Sequence, residues 1–284
     1  MTDLSFTVDA GSVFAFLGSN GAGKSTTIGC ITTTLAPTEG QIEVNGYDVV
    51  KDAHEVRRSI GVVFQNSLLD PLLTVRENLA VRAGFYGLGK RHAAARIDEL
   101  SELIGLSSFM TRRYGQLSGG QQRRTDIARA LIHSPAVVFL DEPTAGLDPQ
   151  SRDQIWKTIQ QLRASSGTTV FLTTHYMEET ERADSVCIID RGEIVAQGTP
   201  AELRARYSSS ILTVRSARPE AVLDRLAELG FGSGPRVDGE DIVVPVESSA
   251  QARTILAEVD VDDFEFRHGT MDDVFLAVTR EAGA

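Results

Sequence analysis

The chain has 284 residues, of which 42% are hydrophobic and 24% charged, so it can bury one large core, or one with a smaller companion. Its net charge of −11 argues against a general basic surface for nucleic acid. No apolar run approaches ~18 residues, so no membrane-crossing helix is expected, and the start MTDLSFTVDAG has neither the basic head nor the apolar stretch of a signal peptide.

Leu4 to Val8 alternates as a strand does, and Asp9-Ala10-Gly11 turns it into Val13-Phe14-Ala15-Phe16-Leu17, an apolar run of buried-strand length. Next comes Gly18-Ser19-Asn20-Gly21-Ala22-Gly23-Lys24-Ser25-Thr26, which fits the phosphate-loop pattern G-x-x-x-x-G-K-[ST]. Thr26 to Leu35 reads as a helix, so the motif has its strand–loop–helix context. Three glycines let backbone N–H groups point inward, and the helix start adds partial positive charge. Lys24 can reach the β- and γ-phosphates, and Ser25 can offer its hydroxyl to Mg²⁺. Composition alone predicts ~0.005 chance matches to this pattern, because the chain has few lysines. The loop points to a nucleoside triphosphate and leaves the use of its energy open.

Gln41 to Val44 is a further short strand, ended by the hairpin-type turn Asn45-Gly46. Ile60 to Phe64 is a buried-strand run that stops at Gln65. Leu73 to Leu106 then carries helical periodicity, broken near Gly87 and Gly89, so residues 66–134 read as an inserted helical subdomain. Ala136 to Leu140 is apolar throughout, as parallel strands are, and ends in Asp141-Glu142. A helix from Pro149 to Ala164 leads to the strand Thr169 to Thr173, which runs into Thr174-His175. Ser185 to Asp190 and Glu193 to Ala196 are strands around the turn Arg191-Gly192, and Thr199-Pro200 starts a short helix. Ser208-Ser209-Ser210 reads as a linker. Beyond it, strands and helices alternate with a Gly/Pro-rich turn to the last helix from Met271, a small α+β domain with no motif assignable to chemistry. Cys30 and Cys187 match no zinc or CxxC spacing and read as reduced, buried residues.

Hydrolysis of a phosphoanhydride needs a phosphate cradle, a metal, a polarised water and donors for the γ-phosphate. In open α/β sheets ligands bind at the carboxyl ends of the strands, where Asp141 can hold Mg²⁺ and Glu142 can reach the attacking water. His175 could hold the γ-phosphate or that water, and Gln65 could touch metal or water and sense the γ-phosphate. His54, His92, His133 and His268 lack such a position. Ser118-Gly119-Gly120-Gln121 forms a second anion-binding helix start, with Ser118 capping a helix to about His133 and the two glycines making a nest.

LSGGQQRR, GSNGAGKST, FLDEP, AGLD and TTH stand in one order and spacing, over about residues 4–207. This resembles the ATPase subunit of an ATP-binding cassette (ABC) transporter. The run Thr173 to Glu179, Ile188 to Gly192, Gly198-Thr199-Pro200 and the ending Met271 to Leu276 are similar to the daunorubicin/doxorubicin-resistance subfamily of bacterial exporters. The resemblance implies an α/β P-loop ATPase core over 1–207 and a small α+β accessory domain over 208–284. It implies ATP with Mg²⁺, held by Ser25, Gln65 and Asp141, and catalysis by Glu142, His175 and Gln65. It also implies a second ATPase subunit paired head to tail, so that Ser118, Gly119, Gly120 and Gln121 of one face the phosphate loop of the other, with Asp148 at the seam. Gln65 and the helical insert would engage a separate integral membrane permease on the cytoplasmic side of the cell membrane. The cargo, which could be a drug or another hydrophobic compound, would be chosen by that permease.

The sequence departs from the family twice. The family places an adenine-stacking aromatic roughly 25 positions before the loop, and here only 17 residues precede Gly18, so either the start is truncated or adenine is held less tightly. Ser19 replaces the usual Pro, which should matter little because the cradle uses backbone groups. The alternative is a soluble ABC ATPase that switches a nucleic-acid or ribosome partner. Such proteins carry paired cassettes or a coiled-coil insertion, whereas this chain has one cassette, no heptad repeat and an acidic balance.

Overall fold

The computed structural model describes residues 3–231 and 234–281. They divide into two compact units, Met1–Gln197 and Gly198–Ala284. In the first, β1 (Val13–Gly18) is buried at every position. It leads through the glycine loop into α1 (Lys24–Ile31). β2 (Glu43–Val44) and β3 (Tyr47–Asp48) form a hairpin across Asn45 and Gly46, whose φ values of 52° and 82° are those of a type I′ turn. α2 (Ala53–Ser59) runs directly into β4 (Ile60–Val63). The expected helical insert follows as α3 (Val75–Phe85), α4 (Lys90–Ile104), two short 3₁₀ turns and α5 (Gly119–Leu131). Then come β5 (Val137–Asp141), α6 (Pro149–Ser166), β6 (Thr169–Thr174), the single turn α7 (Met177–Thr180), β7 (Ser185–Asp190) and β8 (Glu193–Gly198).

The sheet order is β4-β5-β6-β1-β7-β8, and the first five strands are mutually parallel. Parallel strands raise all their carboxyl ends at one edge, and that edge is where the chain places its phosphate loop. The register is close: Asp141 pairs with Thr173, Leu17 with Thr174, and Gly18 with Ile189. Beneath this edge Phe14, Phe16, Phe139 and Phe171 pack together with Phe6, and the Phe14 and Phe171 rings lie 5.1 Å apart. Aromatic rings bury large areas and hold the strand ends rigidly.

Leu4 to Val8 is not a strand. Leu4, Phe6 and Val8 are partly buried while Ser5 and Thr7 are exposed, so the alternation is real. The segment joins no ladder and is held by side chains, with Phe6 stacked on Phe14 at 5.5 Å.

β4 is an edge strand, and α5 covers it. His133 Nε2, Arg129 Nη2 and Arg123 Nη1 bond the carbonyls of Ile60, Val62 and Phe64 at 2.9, 2.6 and 2.6 Å. These are alternate residues, the set an edge strand leaves unpaired on its outer side. The approach is tight, since a Cβ on Gly61 would lie 2.4 Å from the Ala130 carbonyl oxygen.

The second unit contains α8 (Pro200–Tyr207), β9 (Ser210–Arg215), α9 (Pro219–Glu228), β10 (Arg236–Asp238), β11 (Asp241–Val246), α10 (Ser249–Glu258), β12 (Asp263–Arg267) and α11 (Met271–Glu281). Its sheet is antiparallel in the order β10-β11-β9-β12. Leu212, Val214, Ile242 and Val244 of the strands pack on Val222, Leu226 and Ile255 of α9 and α10. α8 packs against α11, so Ser208 and Ser209 join two elements of the same unit. β10 lies where the sequence suggested only a turn. All three of its residues are exposed, so no apolar alternation marks it. Gly232 and Ser233 of that expected turn lie outside the described residues.

Candidate nucleotide and catalytic site

The loop after β1 owes its shape to glycines in two different ways. Gly21 and Gly23 sit at φ 84° and 110°, where a side chain would strain the backbone. Gly18 has no such φ, but a Cβ there would lie 2.7 Å from the Ile189 carbonyl oxygen on β7. α1 starts without a side-chain cap, so its first N–H groups are free for an anion. Lys24 is 7% exposed, and its Nζ donates to the Gly18 and Ser19 carbonyls at 2.6 and 3.1 Å. Burial pulls its pKa below the ordinary lysine value, while the charges of Glu142 and Asp141 oppose that shift. A phosphate entering the cradle would add negative charge beside this ammonium and favour its protonated form. Ser25 follows in the first turn of α1.

Asp141 closes β5, and Glu142 follows in the left-handed region at φ 45°. Glu142 gathers two partners: His175 Nδ1 lies 3.2 Å from its Oε1, and Gln65 Nε2 donates to its Oε2 at 3.5 Å. Three residues spread across the sequence thus meet at the ends of neighbouring strands. With its proton on Nδ1, His175 donates to Glu142 and keeps Nε2 available to a substrate. A carboxylate oriented by two donors can accept a proton from a water.

Thr173 was not singled out from the sequence. Its Oγ1 accepts from the Glu142 N–H at 3.0 Å and donates to Asp141 Oδ1 at 2.6 Å, so one buried hydroxyl holds both the Asp141 carboxylate and the Glu142 backbone. Glu179 is a second such residue. It is 6% exposed and accepts from the hydroxyl of Thr144, in the turn after Glu142, and from that of Thr174, beside His175, at 2.8 Å. The available signal was a hydroxyl or carboxylate in a position otherwise apolar.

Ser118 caps α5 as expected, with a reciprocal box in which Gln121 Oε1 accepts from the Ser118 N–H. The expected nest does not form. Gly119 and Gly120 are the first residues of the helix itself, with no positive φ. They are small because a Cβ on Gly120 would lie 2.4 Å from Ser151 Oγ, and one on Gly119 3.3 Å from a Leu147 methyl. The helix start remains, with its N–H groups, in place of the nest. Asp148 caps α6 through Ser151, bonding its N–H at 3.0 Å and its hydroxyl at 2.6 Å. Those bonds hold its pKa below the ordinary carboxylate value.

Ser25 and Asp141 offer hydroxyl and carboxylate oxygens, the hard donors that Mg²⁺ takes alongside phosphate and water. Among the described residues no cluster of three or more His, Cys, Asp or Glu could hold a metal. Cys30 and Cys187 are buried and free, as expected. His133 is structural, bonded to Ile60.

The family described as ABC transporter matches residues 1–145. The chain is 38% identical to a daunorubicin resistance ATP-binding protein of Streptomyces coeruleorubidus, covering 97% of this chain and 90% of that one. It is 37% identical to Nod factor export ATP-binding protein I of Burkholderia lata, again over 97% and 90%. Among solved structures, cbiO1 of Clostridium perfringens, part of the ABC transporter complex cbiONQ, superposes with a TM-score of 0.67 at 28% identity, covering 80% of this chain and 88% of that one. A dimeric ATP-binding cassette in a post-hydrolysis state with ADP and Pi gives 0.62 at 30% identity, over 68% and 88%. The chain therefore belongs to the ABC transporter family, as one of its ATP-binding, ATP-hydrolysing subunits.

Proposed function

We propose that this subunit powers a bacterial export complex, working as a head-to-tail pair beneath a separate integral membrane permease on the cytoplasmic side of the cell membrane. The observation that carries the reading is the Glu142 carboxylate held between His175 and Gln65 at the end of β5. Support for export comes from relatives named for daunorubicin resistance and Nod factor export. Among the described residues no helix is long and apolar enough to cross a membrane, which fits a partner that supplies the pore.

In this mechanism the N–H groups of residues 18–26 and the Lys24 ammonium hold the β- and γ-phosphates. Ser25, Gln65 and Asp141 would hold Mg²⁺, which neutralises phosphate charge when bound. Glu142 takes the proton of the attacking water, and His175 Nε2 contacts the γ-phosphate. Ser118, Gly119, Gly120 and Gln121 of the second subunit close the phosphate side, with Asp148 at the seam. ATP closes the pair, and hydrolysis reopens it to drive the permease. Leu68, Leu72, Val81 and Phe85 of the helical insert are exposed apolar residues that suit contact with that permease. The acidic chain is not expected to bind nucleic acid.

The test is Glu142→Gln. It should bind Mg-ATP, lose turnover and accumulate as an ATP-dependent dimer by light scattering. Native-rate hydrolysis by this variant would remove Glu142 from the mechanism. Purification from membranes should bring down a hydrophobic permease, and its transport assay would identify the cargo.

A further inference from the structure

Arg123 lies on α5, little more than one helical turn beyond Ser118-Gly119-Gly120. It is 7% exposed, and its guanidinium binds backbone carbonyls. Nε donates to the Pro143 carbonyl at 2.9 Å and Nη1 to that of Phe64 at 2.6 Å. Nη2 donates to the carbonyls of Asp141 and Glu142 at 2.5 and 2.8 Å. Three consecutive carbonyls, 141 to 143, thus converge on one cation. Successive carbonyls of a strand point in opposite directions, so convergence needs a residue of reversed backbone sense. Glu142 is that residue, at φ 45°, a conformation a side chain resists unless its surroundings impose it. The fourth carbonyl belongs to Phe64, immediately before Gln65. On the next turn of α5, Asp126 Oδ1 accepts from Ser67 Oγ at 2.6 Å, so the helix grips Gln65 from both sides.

We propose that Arg123 is a positioning residue that couples the two nucleotide sites of the paired subunits. The inference rests on the head-to-tail pairing proposed above. In that pairing the start of α5 meets the ATP held by the second subunit, while Arg123 of the same helix shapes Glu142 and Gln65 of its own site. A shift of α5 on engaging the partner's γ-phosphate is therefore passed directly to the backbone that aims this subunit's proton acceptor. The guanidinium suits this role because its planar fork reaches several carbonyls at fixed angles, which a lysine ammonium cannot.

The experiment uses the full chain carrying Arg123→Lys or Arg123→Gln, each first shown to be folded by thermal melting. Three readouts follow: affinity of a fluorescent ATP analogue for the isolated subunit, kcat, and the Hill coefficient of ATP hydrolysis. The native chain should show a coefficient between 1 and its two-site limit of about 2. Both variants should keep ATP affinity within about twofold, because the phosphate loop is untouched, lose about 10- to 100-fold in kcat, and bring the coefficient to about 1. If the glutamine variant fails to fold, the lysine variant, which keeps the charge, carries the test. A folded Arg123→Lys with native kcat and native coefficient overturns the proposal, as does a native coefficient of 1. Failure of the pairing itself is read separately: Glu142→Gln would then form no dimer with Mg-ATP. A dimer of Glu142→Gln together with unchanged Arg123 variants would sink the coupling alone.

Discussion

Thr173→Val removes one hydroxyl while keeping the volume and branching of the side chain. Thr173 is fully buried on β6, so the replacement keeps its packing and β preference. Two bonds are lost: the 2.6 Å donation to Asp141 Oδ1 and the 3.0 Å acceptance from the Glu142 N–H. A hydrogen bond to a charged group contributes about 1.5–3 kcal/mol, and a buried N–H left alone costs about 1–3 kcal/mol. Both bonds share one oxygen, and Asp141 and Glu142 are residues of intermediate burial, so water recovers some of the loss. The expected destabilisation is about 2–4 kcal/mol, read by urea unfolding. Catalysis should suffer separately, because Asp141 and Glu142 lose the group that fixes their spacing. A displacement of ~1 Å costs on the order of 100-fold, so kcat should fall by about that factor while KM for ATP stays within about threefold. Phosphate release under saturating Mg-ATP measures this. Thr173→Ser, which keeps the hydroxyl, should recover most of the rate. A valine variant within about twofold of native kcat, or a serine variant as impaired as valine, would refute the reasoning.

Three other outcomes are expected. Gly120→Ala should cost about 1–3 kcal/mol by overpacking, because the new Cβ would meet Ser151 Oγ at 2.4 Å; Ser151→Gly in the same chain should recover part of it, and strictly additive losses in unfolding experiments would remove the contact from the argument. Burial pushes the His133 pKa down to about 4 from its ordinary 6.5, with Arg82, Arg96 and Arg129 adding to the shift and the Ile60 carbonyl opposing it. The unfolded chain then binds the proton first, so stability is full above pH 6.5 and falls toward pH 4 by up to about 3 kcal/mol, and His133→Gln should flatten urea midpoints across that window. Glu179→Ala strands the buried hydroxyls of Thr144 and Thr174 and should cost about 2–4 kcal/mol with a lowered Tm, whereas Glu179→Gln, which keeps an acceptor and adds a donor, should cost less than half as much.

The phosphate loop was legible because its chemistry is local. Nine adjacent residues carry the glycines, the lysine and the hydroxyl, and the flanking apolar strand and helix are read from periodicity. The buried strands ending at Asp141 and Thr174 were legible for the same reason, since a fully apolar run that stops at polar residues marks its own carboxyl end. The strand expected over Leu4 to Val8 shows the limit. Alternation records which side chains face inward, but a strand also needs a neighbour to bond, and that depends on residues elsewhere. β10 fails in the opposite direction, because its residues are all exposed and its membership comes only from β11.

The sequence by itself determined the class of fold, the phosphate loop, the candidates Gln65, Asp141, Glu142 and His175 from their places at the ends of apolar runs, Ser118 as a helix cap, and Asp148 through the family resemblance alone. The tertiary structure decided how they are held. Thr173 reaches Asp141 across 32 positions and Arg123 reaches Phe64 across 59, and no local pattern encodes contacts at such separations. It also replaced one explanation: Gly119 and Gly120 are small because Leu147 and Ser151 press against them, a requirement set by packing between α5 and α6 rather than by the conformation of their own backbone.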